Sequence, residues 1–128
     1  MERLKGKIVS GLGDFSKRME EIPGCRDAYE RKTGMRFYPG TLNIQLADEW
    51  NIPKGAMRLD QREYGGTVSV SIVACSMLGR KAFILRTEKN EAGVGGHPKT
   101  IVEVACDVKL RETFNLHDGD KVEITVES

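Results

Sequence analysis

The sequence has no long hydrophobic run and almost no net charge. Its apolar stretches all fall short of the roughly 18 residues that a membrane-spanning helix requires. Twenty Lys and Arg stand against nineteen Asp and Glu, which leaves a formal net charge of +1. This balance provides no general attraction to nucleic acid or to an acidic membrane surface. We therefore expect a cytoplasmic protein with neither a membrane nor a nucleic-acid partner.

Paired cysteines are also absent. Cys25, Cys75 and Cys106 are odd in number and far apart, with no Cys-x-x-Cys motif and no histidine at metal-ligand spacing. This pattern is typical of reduced thiols in an oxidant-poor compartment, and it argues against a zinc site or a disulfide framework. We expect three reduced thiols, two of them on apolar strands.

Short runs rich in apolar residues make up much of the chain. They predict strands over 7–10, 41–46, 67–75, 81–86, 100–106 and 121–126. Segments rich in turn-formers and charges lie between them at 47–66 and 87–99. The glycines and the proline of the second segment predict a mobile surface loop.

Two short helices complete the predicted pattern. The first runs from Ile22 to Thr33 and stops at Gly34, and the second runs from Val108 to Phe114 with Asp107 as its N-cap. A chain of 128 residues is near the usual size of one domain. The elements therefore predict one mainly β domain over residues 1–128, folded as a small barrel.

The segment Thr41-Leu42-Asn43-Ile44 places two neutral, oxygen-bearing side chains on one face of a predicted strand. Side chains alternate across a strand, so Thr41 and Asn43 share one face while Leu42 and Ile44 share the other. One face can be buried and the other can hold a ligand. A Thr-x-Asn pair alone is a weak motif, and a polar strand face exposed to water is the alternative.

The turn Gly11-Leu12-Gly13 allows close approach of the backbone. Its free amides can cradle phosphate oxygens, as in other anion-binding turns, or the segment can be a plain connection between elements. Lys17 can add positive charge nearby, or it can belong to a solvated surface run with its charged neighbours.

A second region suited to an anion lies near the end of the chain. With Asp107 as the N-cap, the amides of residues 108–110 would point out of a helix N-terminus, where acceptors and anions are favoured. Arg111 lies beside them and could contact the same ligand. The alternative for Arg111 is a surface ion pair with Glu112 or Asp118, an arrangement that contributes little to stability.

Four segments taken together resemble the archaeal CTP-dependent riboflavin kinase family. They are Val9-Ser10-Gly11-Leu12-Gly13-Asp14, the helix ending in Gly34-Met35, the run Pro39-Gly40-Thr41-Leu42-Asn43, and the stretch from Ile101-Val102-Glu103-Val104 through Leu110-Arg111-Glu112 to Phe114–Asp120. Their order and approximate spacing match, and the resemblance covers nearly the whole chain apart from its middle loops. It implies a mainly β, small closed six-stranded cradle-loop (RIFT-like) β-barrel with two short helices. The implied activity is Mg²⁺-dependent transfer of the γ-phosphate of CTP to the ribityl 5′-hydroxyl of riboflavin, giving FMN and CDP.

The resemblance also implies where each substrate binds. Thr41 and Asn43 would hold Mg²⁺, and Glu103 and the position of Gly95 would contact the flavin. Gly95 stands where the family has a threonine, and His97 matches a histidine position of the family. The nucleotide would lie against Leu12, Gly13, Asp14, Phe15, Ser16 and Lys17, and against Val108, Lys109, Leu110 and Arg111.

The chemistry of these residue types agrees with such a site. Mg²⁺ prefers oxygen ligands and is often held by few protein groups together with phosphates and water. Without a carboxylate, Thr41 and Asn43 should bind free Mg²⁺ weakly, so we expect the metal to arrive with the nucleotide. Glu103 faces away from Val102 and Val104 on its strand, and it is either a substrate contact or simply exposed to solvent.

Two other functions stay open. The same barrel and nucleotide site could phosphorylate another small polyol, because Gly95 departs from the family pattern at the flavin. A small barrel can also serve as a non-catalytic module that binds DNA, although the chain has no basic stripe. The sequence identifies no general base and no oligomeric state.

Overall fold

The computed structural model describes residues 1–127, and within this range the chain forms seven strands and four α-helices. The strands are β1 (Glu2–Val9), β2 (Leu42–Leu46), β3 (Met57–Leu59), β4 (Val70–Met77), β5 (Arg80–Thr87), β6 (Ile101–Ala105) and β7 (Lys121–Val126). The helices are α1 (Asp14–Glu21), α2 (Cys25–Thr33), α3 (Glu88–Glu91) and α4 (Leu110–Thr113), and a 3-10 turn covers Gln61–Glu63. None of these helices has the length and apolar character needed to cross a membrane.

Six strands close into an antiparallel barrel. They follow the order β4-β5-β6-β2-β1-β7, and β7 returns to pair with β4, where Ile124 lies opposite Met77. The short strand β3 (Met57–Leu59) pairs with the first residues of β4, on the edge where β7 pairs with its last residues. The predicted closed six-stranded barrel is confirmed, with β3 as an additional strand.

Two separate cores bury the barrel strands, one inside the barrel and one against the outer face of β4, β5 and β6. Apolar side chains from all six barrel strands fill the interior, and Ile8, Ile44, Ile84 and Ile124 are fully buried there. The interior core accounts for the alternation of the sequence, because every second residue of each strand points inwards.

The second core lies outside the barrel, between its wall and the helices α1 and α2. Phe15 of α1 and Tyr29 of α2 meet Phe37 and Phe83, with the Tyr29 and Phe37 ring centroids 5.4 Å apart and those of Phe37 and Phe83 5.9 Å apart. Tilted aromatic pairs at this separation contribute beyond the area they bury. The helices thus cover a barrel face that would otherwise be exposed to water.

Helix α1 was not predicted. Its residues, Asp14–Glu21, include the end of the segment expected to be a nucleotide-binding loop. Phe15 is its one buried residue, and Met19 and the following Ile22 pack partly buried against the same core. These three residues have helical spacing, so the sequence contained an apolar stripe that was overlooked. Gly13 precedes it in the left-handed conformation, at φ 79°.

The predicted helices are present with shifted bounds. Helix α2 begins at Cys25 instead of Ile22 and ends, as predicted, at Gly34, which takes the left-handed conformation. The second predicted helix is shorter: α4 covers Leu110–Thr113, and Lys109 is its N-cap. Asp107 as N-cap was therefore wrong, because its carboxylate instead accepts a hydrogen bond from Arg80, at 3.3 Å.

The strand predictions also need correction at two places. Strand β1 begins at Glu2 instead of Lys7. Only one side of its N-terminal half is buried, and the charged residues on the other side obscure the apolar pattern that would predict a strand. The strand predicted over 67–75 begins at Val70 and continues to Met77. The bounds of β7 agree with the prediction.

A buried arginine closes one end of the barrel and fixes the segment between β5 and β6. The Arg86 side chain is 2% exposed, and it donates hydrogen bonds to the backbone oxygens of Trp50, Lys99 and Ile101. Its guanidinium also pairs with Glu91, at 3.0 Å. The segment predicted as a mobile surface loop therefore contains a helix, α3, and is tied to β5 near both of its ends.

All three cysteines are free and buried. Cys25 lies in the second core, whereas Cys75 and Cys106 lie in the barrel interior. Burial raises the pKa of the Cys75 thiol to about 12, because the apolar surroundings disfavour the thiolate.

Truncation at the barrel closure should measure how much the interior core contributes. Ile124 is fully buried on β7, so Ile124→Ala is expected to lower the free energy of unfolding by about 2–5 kcal/mol. Lys121→Ala, at the exposed start of the same strand, should change it by less than about 0.5 kcal/mol. Urea denaturation followed by circular dichroism measures both values, and equal effects would contradict the assignment of Ile124 to the core.

Candidate active site

A cavity of about 310 Å³ lies where the glycine turn, the Thr41 segment and the start of α4 come together. We call it the first cleft. It is lined by residues 11–16, 38–43 and 108–111, together with His97, Glu103, Val104 and Cys106. All the residues predicted to contact nucleotide or metal therefore line one cavity, with the exception of Lys17.

The pairing of β2 with β6 builds the centre of the first cleft. In this register Asn43 lies directly opposite Glu103, so the two side chains are on the same, outer face of the barrel. Thr41 is on that face too, and its hydroxyl donates a hydrogen bond of 3.2 Å to Glu103 Oε2. The predicted shared face of Thr41 and Asn43 brings both beside a carboxylate.

Asn43 carries an unpaired oxygen. The residue is 7% exposed, and its Oδ1 accepts no hydrogen bond from any group in residues 1–127. Leaving a buried acceptor unpaired costs about 1–3 kcal/mol, and such atoms in folded proteins often mark a bound ion or another functional role. The predicted alternative, a polar strand face exposed to water, is wrong for Asn43.

The glycine turn packs against this asparagine. A Cβ atom at Gly11 would lie 2.0 Å from Asn43 Nδ2, so only glycine lets the chain pass so closely. The turn continues through Gly13 into α1, whose N-terminus has no side-chain cap. The first amides of α1 are therefore free to meet an acceptor, and the helix dipole favours a negative charge there.

Glu103 is half-buried, against the alternative that it is simply exposed to solvent. Its side chain is 15% exposed, because α1 and the segment before β6 cover this part of the barrel wall. Burial raises the pKa of Glu103, while the nearby His97 and Arg18 and the hydrogen bond from Thr41 oppose this shift. His97 Nε2 lies 3.6 Å from Glu103 Oε1, so this histidine is a direct neighbour of the carboxylate.

A second cavity, of about 470 Å³, lies on the other side of Glu103. We call it the second cleft. Asp14 and Glu103 line both clefts, and Lys17 lines only the second. Its wall comprises residues 14, 17, 18, 21, 22, 65–68, 87, 89, 90, 95, 96 and 103. The carboxylate of Glu103 therefore stands at the junction of two cavities.

Gly95 lies in the second cleft, but it has no room for a side chain. A Cβ atom there would be 1.9 Å from Asn90 Oδ1. Asn90 Oδ1 also accepts a hydrogen bond of 3.2 Å from the backbone amide of His97. No pattern in the sequence indicates a role for Asn90, because its surroundings depend on how the segment between β5 and β6 folds back on α3.

Arg111 lines the first cleft and also forms the predicted alternative ion pair. Its guanidinium contacts Asp118 at 2.6 Å and donates to the backbone oxygen of Val9. Hydrogen bonds from Ser10 and Arg111 hold the pKa of Asp118 below its ordinary value. Of the two predicted partners, Asp118 is the one found, and Glu112 pairs with Lys109 instead.

Comparison with known proteins agrees with this arrangement. A family model named for CTP-dependent riboflavin kinases and described as "Domain of unknown function DUF120" matches residues 8–126. The chain belongs to the CTP-dependent riboflavin kinase family. The match includes every residue of the two clefts, so the family resemblance inferred from the four sequence segments is confirmed.

Several archaeal members of the family are similar to this chain over almost its whole length. Proteins named riboflavin kinase from Methanocella arvoryzae and Pyrobaculum islandicum are 30% and 34% identical to it, each over 97% of this chain. The chain spans only 56% and 60% of the length of these two relatives. A riboflavin kinase from Staphylothermus marinus is 32% identical, and the match covers 97% of this chain and 91% of that protein.

The half-buried carboxylate of Glu103 should make the stability of the fold depend on pH. Because the pKa of Glu103 is raised in the folded state, its contribution is fully present below the unfolded pKa and is lost as pH rises through the folded pKa. We expect Glu103→Gln to gain stability relative to the unmodified protein as the pH rises above the unfolded pKa of a glutamate, about 4. Urea denaturation at a series of pH values above this point measures the difference.

The matched control is Glu123→Gln on β7, where the replaced side chain is 43% exposed. Its stability difference from the unmodified protein should vary less with pH than that of Glu103→Gln. A Glu103→Gln curve parallel to that of the unmodified protein would contradict the burial of this carboxylate.

Proposed function

We propose that this chain is a riboflavin kinase that transfers the γ-phosphate of CTP to the ribityl 5′-hydroxyl of riboflavin, giving FMN and CDP, with Mg²⁺. The observation that carries the proposal is the unpaired oxygen of Asn43, buried beside Thr41 and opposite the carboxylate at which two clefts meet. Membership of the family and the names of the relatives support the choice of donor and acceptor.

In this proposal the first cleft holds the nucleotide. The free amides at the N-terminus of α1 and the close backbone of the Gly11-Leu12-Gly13 turn suit phosphate oxygens. Lys109 and Arg111 line the same cavity and bring positive charge to it. Because the whole chain is almost neutral, attraction for a triphosphate has to come from such a local arrangement.

Thr41 and Asn43 would hold the metal. Their neutral oxygens fit Mg²⁺, and Asn43 Oδ1 lacks any partner within residues 1–127. Residues 1–127 contain no group of three or more His, Cys, Asp or Glu side chains that fits a metal ion. Most of the negative charge around the metal therefore has to come from the phosphates of the nucleotide. When bound, Mg²⁺ would neutralise the charge of the phosphates involved in transfer.

Riboflavin would occupy the second cleft, with its ribityl chain directed towards Glu103. Phosphoryl transfer passes through a loose transition state, so the protein mainly has to place the hydroxyl and the phosphate in line. Glu103 can accept the hydrogen bond of the 5′-hydroxyl and take up its proton as the new P–O bond forms and the bond to the β-phosphate oxygen breaks. The hydrogen bond from Thr41 and the neighbouring His97 orient this carboxylate.

Product formation tests the proposal directly. The protein is incubated with riboflavin, Mg²⁺ and each of the four common nucleoside triphosphates, and FMN is separated by chromatography. We expect FMN with CTP, at a higher rate than with the other three. No FMN with any nucleotide would overturn the proposal, and product from another polyol, or salt-sensitive retardation of DNA by the protein, would support one of the two alternative functions.

Removing the metal-facing oxygens should slow the reaction without unfolding the protein. Asn43→Ala and Thr41→Ala are each expected to lower kcat/KM for FMN formation by about tenfold or more, since charge stabilisation at the transferred phosphate is commonly worth that much. The measurement is the initial rate of FMN formation over a range of MgCl₂ concentrations.

Gln45→Ala is the control on the same strand, because Gln45 lines neither cleft. Its rate should stay within about twofold of the unmodified protein, in line with a substitution outside the site. Rates for Asn43→Ala and Thr41→Ala equal to that of Gln45→Ala would remove the metal assignment.

A further inference from the structure

Two glycine pairs form much of the wall of the second cleft. They are Gly65-Gly66 and Gly95-Gly96. A Cβ atom at Gly66 would lie 2.1 Å from the ring of Tyr64, and one at Gly96 would lie 2.6 Å from Leu12 Cδ1. The wall therefore carries no side chain at these four positions, which leaves room for a flat ring beside the backbone.

Asn90 places a polar group in the same cleft. Its Oδ1 accepts the backbone N–H of His97, and because that group is a donor, the amide must turn its oxygen towards it. The orientation of the amide is thereby fixed, and Gly95 leaves just enough space for it. The Nδ2 group of Asn90 donates no hydrogen bond to any acceptor within residues 1–127 and is available to a ligand.

We propose that Asn90 determines the specificity of the second cleft, by donating a hydrogen bond from Nδ2 to a carbonyl oxygen or ring nitrogen at the edge of a planar heteroaromatic ligand. This inference rests on the proposed function, in which that ligand is the isoalloxazine ring of riboflavin. The ring has carbonyl and imine acceptors along one edge, whereas its ribityl chain would extend towards Glu103.

The two lysines of the cleft are less suited to this role than Asn90. Lys17 and Lys89 are exposed and carry flexible, strongly hydrated side chains. Asn90 is half-buried and is already held in one orientation by its backbone and side-chain hydrogen bonds, through Thr87 and His97. A donor fixed before the ligand arrives loses little entropy on binding and so discriminates better between ligands.

Asn90→Asp tests the Nδ2 donor separately from the hydrogen bond that Oδ1 accepts from His97. The substitution keeps an oxygen for the backbone amide of His97 and replaces only Nδ2 by an acceptor. We expect the Kd for riboflavin, measured by quenching of flavin fluorescence, to rise about three- to tenfold, which is the effect of one lost hydrogen bond. The Kd for CTP, measured by calorimetry, should stay within about twofold.

Two further variants guard against a trivial effect of charge or of misfolding. Asn51→Asp adds the same charge at an exposed residue outside both clefts and should leave the Kd for riboflavin unchanged. Gly95→Ala should weaken riboflavin binding by displacing the Asn90 amide, and it should add little further loss in an Asn90→Ala background. Circular dichroism checks that each variant is folded.

Lumiflavin, which has the same ring but no ribityl chain, tests which part of the ligand Asn90 recognises. Asn90→Asp should weaken lumiflavin and riboflavin by a similar factor. A loss confined to riboflavin would overturn the assignment to the ring, and equal Kd values for Asn90→Asp and the unmodified protein would overturn the role of Asn90 while FMN formation persists. If the unmodified protein neither binds riboflavin nor forms FMN, the proposed function fails and this inference fails with it.

Discussion

The pairing of β2 with β6 is the constraint on which the candidate site depends. It puts Asn43 opposite Glu103 and sets Thr41 within hydrogen-bond distance of the same carboxylate. Because side chains alternate with a period of two, a slip of one residue would turn all three polar groups into the apolar interior of the barrel. The register that seals the interior core is thus the same register that assembles the site.

The inner face of the barrel wall contributes mainly to stability, whereas the polar groups of the candidate site lie on its outer face. Its inner face is filled with aliphatic side chains, and its outer face carries both the aromatic core beneath α1 and α2 and the polar groups of the clefts. The partial burial of Glu103 beneath α1 and the segment before β6 lowers stability at neutral pH, and the unpaired Asn43 Oδ1 lowers it further. Two cores supply enough apolar burial to support these polar groups, and the buried guanidinium of Arg86 secures the segment that completes the second cleft.

The parts of the fold that sequence reasoning predicted are those set by local patterns. The shared face of Thr41 and Asn43, the bounds of β7 and the end of α2 at Gly34 follow from alternation and from the left-handed conformation of one glycine.

The parts that it missed depend on contacts between distant segments. Asp107 is drawn away from α4 by Arg80, and the partial burial of Glu103 results from elements far from it in the chain. No local pattern contains this information. Asn90 was missed for the same reason, since its neighbours in the cleft come from four separate parts of the sequence.

Because all three thiols are free and buried, the rate at which they react with a thiol reagent can report local opening of the fold. Cys25 belongs to the core under the helices, while Cys75 and Cys106 belong to the barrel interior. A thiol reagent attacks the thiolate and needs access to the sulfur, so Cys25 and Cys75 can react only when their own cores open. The rate of labelling at Cys25 therefore tracks the detachment of α1 and α2, and the rate at Cys75 tracks the separation of the barrel strands, whereas Cys106 also lines the first cleft. Comparing the first two rates would show whether the helices over the second core open on their own, ahead of the barrel.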